Sequence, residues 1–277
     1  MRRPFRQVDV FATDPYRGNP LAVVLDAEGL TDEELARFAR WTNLSETTFV
    51  LPPETPAGDY RVRILTPARE LPFAGHPTIG TCHAWLEAGG VPRAEGVVVQ
   101  ECAAGPVALR RDGDRLAFAA PPLVRSGPVD EALVARVAGV LGIARGDVLD
   151  AAWLDNGPGW VGVLLADAAS VLALRPGPVG DLKIGVVGPL PPGSAAAVEV
   201  RAFFPAGDAT IEDPVTGSLN AALPFWLVPS GRLALPYTAR QGTALGRDGS
   251  VHLSGDVAGT VWVSGSAVTC IEGFVEL

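Results

Sequence analysis

Two short segments, far apart in the chain, share a residue pattern able to hold a small anion. Glu70-Leu71-Pro72-Phe73-Ala74-Gly75-His76 and Glu212-Asp213-Pro214-Val215-Thr216-Gly217-Ser218 both read Glu-x-Pro-x-x-Gly, and each opens an apolar segment. A few residues upstream, Val62-Arg63-Ile64-Leu65-Thr66-Pro67 resembles Val200-Arg201-Ala202-Phe203-Phe204-Pro205. One such match is within reach of chance in a chain with 32 Gly and 25 Pro; two matches in the same order point to an internal duplication. A glycine at a helix start lets the backbone approach a ligand closely, and the N–H groups of the first turn favour an anion. Two such helix starts, one per half, would make a cleft with an anion cradle on each wall, suited to a carboxylated small molecule. A single copy would read as a helix cap, but the pairing of Gly75 with Gly217 turns the reading toward function.

His76 follows the first of these glycines and Asp213 lies in the matching loop of the other half. Both side chains are candidates for acid/base or hydrogen-bonding work in the same cleft. Ser218 takes the place that matches His76; without a Gly-x-Ser-x-Gly elbow around it, a hydrogen bond to substrate fits better than a nucleophilic role. Glu46, in Asn43-Leu44-Ser45-Glu46-Thr47, stands between a helix end and an apolar strand, where burial would raise its pKa and let it shuttle a proton near neutral pH. Spacing alone does not single it out among 31 acids, most of which must be solvated. His83, two turns along an apolar helix, reads as a satisfied core residue, and His252, in a late strand pattern, as a surface one.

These residues need elements to position them. Short apolar runs broken by Gly and Pro, with a few helical patterns, give an α+β class with mostly antiparallel strands. Val8 to Phe11 and Leu21 to Leu25 are expected to pair around the turn Asp14 to Pro20. Thr31 with Glu34 forms a capping box for a helix reaching about Trp41, with Leu35, Phe38 and Ala39 on one face. Strands are expected at Thr47 to Leu51 and Tyr60 to Leu65. A second helix, apolar nearly all round and therefore buried, starts at His76-Pro77 and stops at Gly89-Gly90. Pro121-Pro122 marks the boundary between the two halves. An amphipathic helix follows from about Asp130 to Leu141, closed by Gly142. Residues 175–194 read as a Pro/Gly-rich connection. After Ser218 another buried helix should reach Trp226 or Val228, bent or shortened by Pro224.

Composition removes several function classes. The chain has 277 residues, enough for one large or two medium domains, and its 48% hydrophobic content is far from that of a disordered chain. A net charge of -9 with scattered basic residues argues against a nucleic-acid surface. Lys183 is the single lysine and sits in a Gly/Pro-rich stretch, which discounts Schiff-base and P-loop chemistry. Cys82, Cys102 and Cys270 have no metal-ligand spacing and are expected to be buried thiols in a reducing compartment. The N-terminus meets Asp9 before any apolar run develops, unlike a signal peptide, and no stretch approaches the ~18 apolar residues of a membrane span. A soluble, cytoplasmic protein with no membrane partner is expected.

Taken in order, several blocks form a recognisable set: Asp9-Val10-Phe11 with Gly18-Asn19-Pro20, Asn43-Leu44-Ser45-Glu46-Thr47, and Glu70 to Pro77. They continue with Asn156-Gly157-Pro158-Gly159-Trp160, Glu212 to Ser218, and Gln241-Gly242 followed by Gly246-Arg247. The chain resembles the PhzF-like isomerases of phenazine biosynthesis over nearly its whole length. That resemblance implies the diaminopimelate-epimerase-like fold, two pseudo-symmetric lobes, each a barrel-like, mostly antiparallel sheet around a central helix. The lobes would be 1–120 and 121–264, with residues 265–277 crossing back to the first.

The resemblance also assigns roles. It implies that Glu46 removes a proton from carbon and returns it elsewhere on a conjugated substrate. His76 and Asp213 would assist proton transfer and hold substrate polar groups, and Ser45, Gly75, Gly217 and Ser218 would bind substrate. It implies a homodimer and neither metal nor organic cofactor. Where the related epimerases place a catalytic cysteine in each half, this chain has Ala74 and Thr216, so two-thiol racemisation is excluded and a single carboxylate relay remains. Two other readings stay open: a binding protein or degenerate enzyme that kept the cleft without turnover, and a racemase- or cyclase-type reaction on the same scaffold.

Overall fold

The computed structural model describes residues 1–277, and the elements follow the apolar patterning of the chain. First come β1 (Arg2–Val10), β2 (Asn19–Val24), α1 (Asp32–Thr42), β3 (Thr47–Leu51) and β4 (Tyr60–Leu65). They are followed by β5 (Glu70–Leu71), α2 (Gly75–Glu87), β6 (Val97–Cys102), β7 (Gly105–Asp112) and β8 (Arg115–Ala119). The next stretch carries β9 (Arg125–Pro128), α3 (Glu131–Leu141), β10 (Asp150–Asp155), β11 (Trp160–Leu164), α4 (Ala168–Ala173) and β12 (Lys183–Pro189). Then come β13 (Val198–Ala206), β14 (Ala209–Asp213), α5 (Gly217–Ala222), α6 (Pro224–Leu227), β15 (Tyr237–Gln241), β16 (Gly249–Gly255) and β17 (Val261–Gly265). The last strand is β18 (Ala267–Glu276). Two compact units result, Met1–Ala119 with Ser264–Leu277, and Ala120–Val263.

In the first unit β1 pairs antiparallel with both β2 and β18, β2 runs parallel to β3, and β3 is antiparallel to β4. β4 then pairs antiparallel with the short β5 and parallel with β6, which continues antiparallel to β7 and β8. The helix α2 lies inside this barrel-like sheet and touches β1, β2, β3, β6, β8 and β18. Its apolar circumference matches that position: Ile79, Cys82 and Ala84 are fully buried. Gly80 permits the approach, since a Cβ there would lie 2.7 Å from Leu21 Cδ2 and from Val10 Cγ2. On the other face of the sheet α1 covers a second core, with Leu35, Phe38 and Ala39 against Val24, Phe49 and Leu65. Its capping box is present, Thr31 accepting from the Glu34 amide and Glu34 from the Thr31 amide, and it ends at Asn43 in the left-handed region.

The second unit repeats the order. β10 pairs antiparallel with β9 and β11, β11 runs parallel to β12, and β12 is antiparallel to β13. β13 pairs antiparallel with β14 and parallel with β15, which continues into β16. Strand for strand this is the sequence of the first unit, with β18 filling beside β1 the place that β9 fills beside β10. Helices α3 and α4 pack Val134, Val137, Leu141 and Val171 against Val161, Val163, Ile184 and Val186 of this sheet. The segment after Ser218 forms two short helices, α5 and α6, broken at Pro224.

Two expectations are corrected. The Pro/Gly-rich stretch 175–194 contains a central strand, β12, whose Ile184 to Gly188 are buried between β11 and β13. The flanking prolines and glycines obscure so short an apolar run. Of the cysteines only Cys82 is buried, where burial pushes its thiol up to about 12; Cys102 and Cys270 are half-buried. No helix is long and apolar enough to cross a membrane.

Candidate active site

In the first unit, Glu46 is the last residue before β3. Asn43, at φ 54° and ψ 28°, ends α1 in a left-handed turn, and four residues later, at Thr47, the chain enters the sheet. The Glu46 side chain is 15% exposed and its Oε2 lies 3.4 Å from Nε2 of His76, itself 6% exposed. His76 is the second residue of α2, whose N-cap Ala74 supplies no side-chain cap and whose third residue is Pro77. The first-turn amides of Gly75 and His76 are therefore donors to which no capping side chain is assigned. Burial pushes the His76 imidazole down to about 3, so it is neutral across the physiological range.

A third buried polar residue completes this side. Asn19, fully buried at the start of β2, places Nδ2 3.5 Å from His76 Nδ1. With the amide as donor, Nδ1 accepts and the ring proton sits on Nε2, facing the Glu46 carboxylate. Asn19 is set there by Asp9, whose Oδ2 accepts from the amides of Arg17 at 2.7 Å and Gly18 at 2.8 Å and folds the intervening loop back onto β1.

In the second unit, Asp213 ends β14 and Oδ2 accepts the Thr216 hydroxyl at 2.7 Å. Gly217 opens α5 and Ser218 follows, its Oγ accepting from the Trp160 indole at 3.0 Å and its carbonyl from Asn156 Nδ2 at 2.9 Å. Because Trp160 occupies a lone pair of Ser218, the hydroxyl proton is available for an acceptor such as a carboxylate. Lys183, the single lysine, donates to the Pro158 carbonyl at 2.7 Å.

The strand registers show how the two units divide their chemistry. Arg63 of β4 and Arg201 of β13 each grip the glutamate of the Glu-x-Pro-x-x-Gly pattern through two N–H groups. Arg63 donates to Glu70 at 2.8 and 2.6 Å, Arg201 to Glu212 at 2.9 and 2.7 Å. With these arginines superposed in register, Glu46 corresponds to Lys183, His76 to Ser218, and Leu71 to Asp213. Asp9 corresponds to Asp155, which likewise accepts two loop amides, from Gly157 at 2.7 Å and Gly159 at 2.8 Å. The scaffold is shared and the chemistry-bearing side chains differ.

The structure thus brings Glu46 and His76 together in one unit, with Ser45 and Gly75 beside them in sequence, and sets Asp213, Gly217 and Ser218 together in the other. His83 is half-buried and meets Thr269 Oγ1 at 3.2 Å; His252 is half-buried beside Thr238 Oγ1 at 2.8 Å. Sequence reasoning assigned no role to Asn19, Trp160 and Thr216, which contact the side chains of His76, Ser218 and Asp213, or to Gln241, which holds the Asp213 carbonyl and Thr216. The usable signal was the repeat itself, at the positions where one copy is polar and the other apolar.

Two duplicated lobes, each a barrel-like sheet around a helix that starts at a glycine, define the diaminopimelate-epimerase-like fold. A phenazine biosynthesis protein of the PhzF family from Bacillus anthracis has that fold, matching 100% of both chains with a TM-score of 0.86 at 24% identity. The model of the PhzC-PhzF family, phenazine biosynthesis-like proteins, matches residues 8–273, and the chain belongs to that family. Among its relatives are Antisense-enhancing sequence 1 of Schizosaccharomyces pombe, 37% identical over 97% of each chain, and the trans-2,3-dihydro-3-hydroxyanthranilate isomerase of Pseudomonas aeruginosa, 34% identical over 96% of each.

Proposed function

We propose that this protein is a cofactor-independent isomerase that moves a proton between carbons of a small, carboxylated, unsaturated or amino-acid-derived metabolite. Glu46 removes an acidic C–H proton, the electron pair delocalises into the conjugated system, and the same carboxyl returns the proton to another carbon. The carboxylate is regenerated and nothing is oxidised or reduced. The observation that carries this reading is the 3.4 Å approach of His76 Nε2 to Glu46 Oε2 on a buried wall. A neutral imidazole facing the carboxylate at that distance does not compete with it as an acid at neutral pH. Backbone amides at Gly75 and Gly217 would hold the substrate carboxylate or the developing enolate, where fixed donors lower the barrier by several kcal/mol. Ser45, Ser218 and Asp213 would hold its polar groups. The kinship with a trans-2,3-dihydro-3-hydroxyanthranilate isomerase makes that compound the first substrate to try.

The test is incubation with this compound in deuterated water, followed by mass spectrometry and NMR. Conversion is expected, and Glu46→Gln should lower kcat by about 10²- to 10⁴-fold while leaving the melting temperature near that of the parent. A Glu46→Gln protein with near-normal turnover overturns the assignment. The homodimer belongs to the same proposal and is checked by light scattering, which should give twice the 28.8 kDa chain mass.

A further inference from the structure

We propose that Gln241 and Thr216 are positioning residues for Asp213, fixing its Oδ2 as a hydrogen-bond acceptor and aiming the carboxylate at a substrate group that donates, an amine or a hydroxyl. The proposal rests on the reading of Asp213 as a substrate-contacting residue.

The geometry leaves little freedom. Gln241, the last residue of β15, is fully buried. Its Oε1 accepts from the Thr216 amide at 3.0 Å and from Asn220 Nδ2 at 2.8 Å. The first of these is a main-chain donor. The second is oriented independently, because the same Nδ2 also donates to the Thr216 carbonyl at 2.9 Å. The carbonyl end of Gln241 is thereby identified and its Nε2 must face the other way, where it donates to the Asp213 carbonyl at 3.0 Å and to Thr216 Oγ1 at 2.9 Å. A hydroxyl has one proton. With a lone pair of Thr216 Oγ1 taken by Gln241, that proton goes to Asp213 Oδ2, 2.7 Å away. One carboxamide therefore holds Asp213 twice, at its main chain and through the threonine.

The neighbouring glycine belongs to the same device. Gly242 has φ 94°, and a Cβ there would lie 2.7 Å from the Pro214 carbonyl oxygen, so only glycine lets the end of β15 close on this loop. The motif Gln241-Gly242, which the reaction itself leaves without a role, acquires one.

The first unit provides an internal control. In the matching register, β4 with β5 and β6 against β13 with β14 and β15, Asp213 corresponds to Leu71, Thr216 to Ala74 and Gln241 to Cys102. There the Cys102 thiol turns to the Gly105 carbonyl at 3.3 Å. The same hairpin still forms and α2 still starts at Gly75. The fold therefore makes this loop-to-helix junction without any of the three polar groups. They occur together, in one unit only, and lead to a carboxylate. Such a set is explained by what Asp213 must do, and not by what the junction needs to form.

The experiment combines a direct view of the proton with kinetics. Neutron diffraction from deuterium-exchanged crystals should show the Thr216 deuteron between Oγ1 and Asp213 Oδ2, with two deuterons on Gln241 Nε2. A Thr216 deuteron pointing elsewhere overturns the proposal, whatever the enzyme converts. In the assay on trans-2,3-dihydro-3-hydroxyanthranilate, Thr216→Val, nearly isosteric and without a hydroxyl, should lose about 10- to 100-fold in kcat/KM, as expected for removing a hydrogen bond to a charged group. Thr216→Ser should restore most of it. Equal kcat/KM for Thr216→Val and the parent, or no rescue by serine, overturns the positioning role. Gln241→Glu, which lacks the donating N–H, should resemble Thr216→Val if it folds; Thr216→Val decides the matter if it does not. A deuteron placed as expected in a protein that leaves this compound unchanged would instead count against this substrate alone.

Discussion

His76 is the residue on which the two roles of burial meet. The surroundings that bring its ring against Glu46 also push its pKa from 6.5 to about 3, so the folded protein keeps the imidazole neutral where the unfolded chain protonates it. Between these values the unfolded state binds more protons, and folding stability rises with pH and is lost as pH falls from 6.5 toward 3. A single such group contributes up to about 1.4 kcal/mol per pH unit in that window. Urea denaturation at pH 7, 6 and 5 should show the parent losing stability with acid more steeply than His76→Gln. Parallel slopes would mean that the imidazole is not held neutral. Spacing alone could not supply this pair, because Glu46 and His76 are 30 positions apart and meet only when β3 and the start of α2 are laid on one wall. Gln241 was still less legible, since its contact with Thr216 follows from the parallel pairing of β13 with β15. What could be read was the repeat, and within it the difference between Ala74 and Thr216.

Among the elements, the two copies of the arginine-glutamate grip show how one sequence pattern carries different weight in different surroundings. Arg201 and Glu212 are 5% and 12% exposed, and Arg201 also donates to the Val171 and Leu174 carbonyls at the end of α4. Arg63 and Glu70 are 25% and 38% exposed, and Arg63 shares a second carboxylate, Asp32. Removing one partner of a buried pair leaves an uncompensated charge and costs about 3–5 kcal/mol, whereas exposed pairs contribute about 0–1. Chemical denaturation should therefore find Arg201→Met destabilised by several kcal/mol and Arg63→Met by about 1 or less. Equal losses would show that burial does not set the difference. Local chemistry made α1 legible, because Thr31 and Glu34 carry the cap and Leu35, Phe38 and Ala39 carry the face. It concealed β12, because a strand buried on both sides shows no alternation and this one is only a few apolar residues long between Pro178 and Pro191. It also left α5 and α6 as one segment, although Pro224 suggested the break.

At the scale of the whole molecule, the duplicated order accounts for the place of β18 in the sheet, beside β1 as β9 is beside β10. In the second unit the strand beside β10 is β9, which precedes it in sequence; in the first, the strand beside β1 is β18, delivered from the other end of the chain. The first unit is thus assembled from two stretches, and β1 depends on a ten-residue partner that follows the whole second unit in sequence. Residues 1 and 277 lie side by side as a result, with the Leu277 amide donating to the Met1 carbonyl at 3.0 Å. Joining them by a short linker and opening the chain between Pro122 and Leu123, just past the end of the first unit, would make both units continuous in sequence. Ends that lie together and an opening at an exposed connection are the conditions under which permutation succeeds. The permuted protein should fold with the parent's circular dichroism spectrum. It should also refold faster, since the β1–β18 pairing changes from the longest-range contact in the chain to a local one. Stopped-flow refolding compares the two directly. A permutant that folds no faster would place the slow step in the pairings shared by both units, the parallel β2–β3 and β11–β12 crossovers, and not in the closing of β18 on β1.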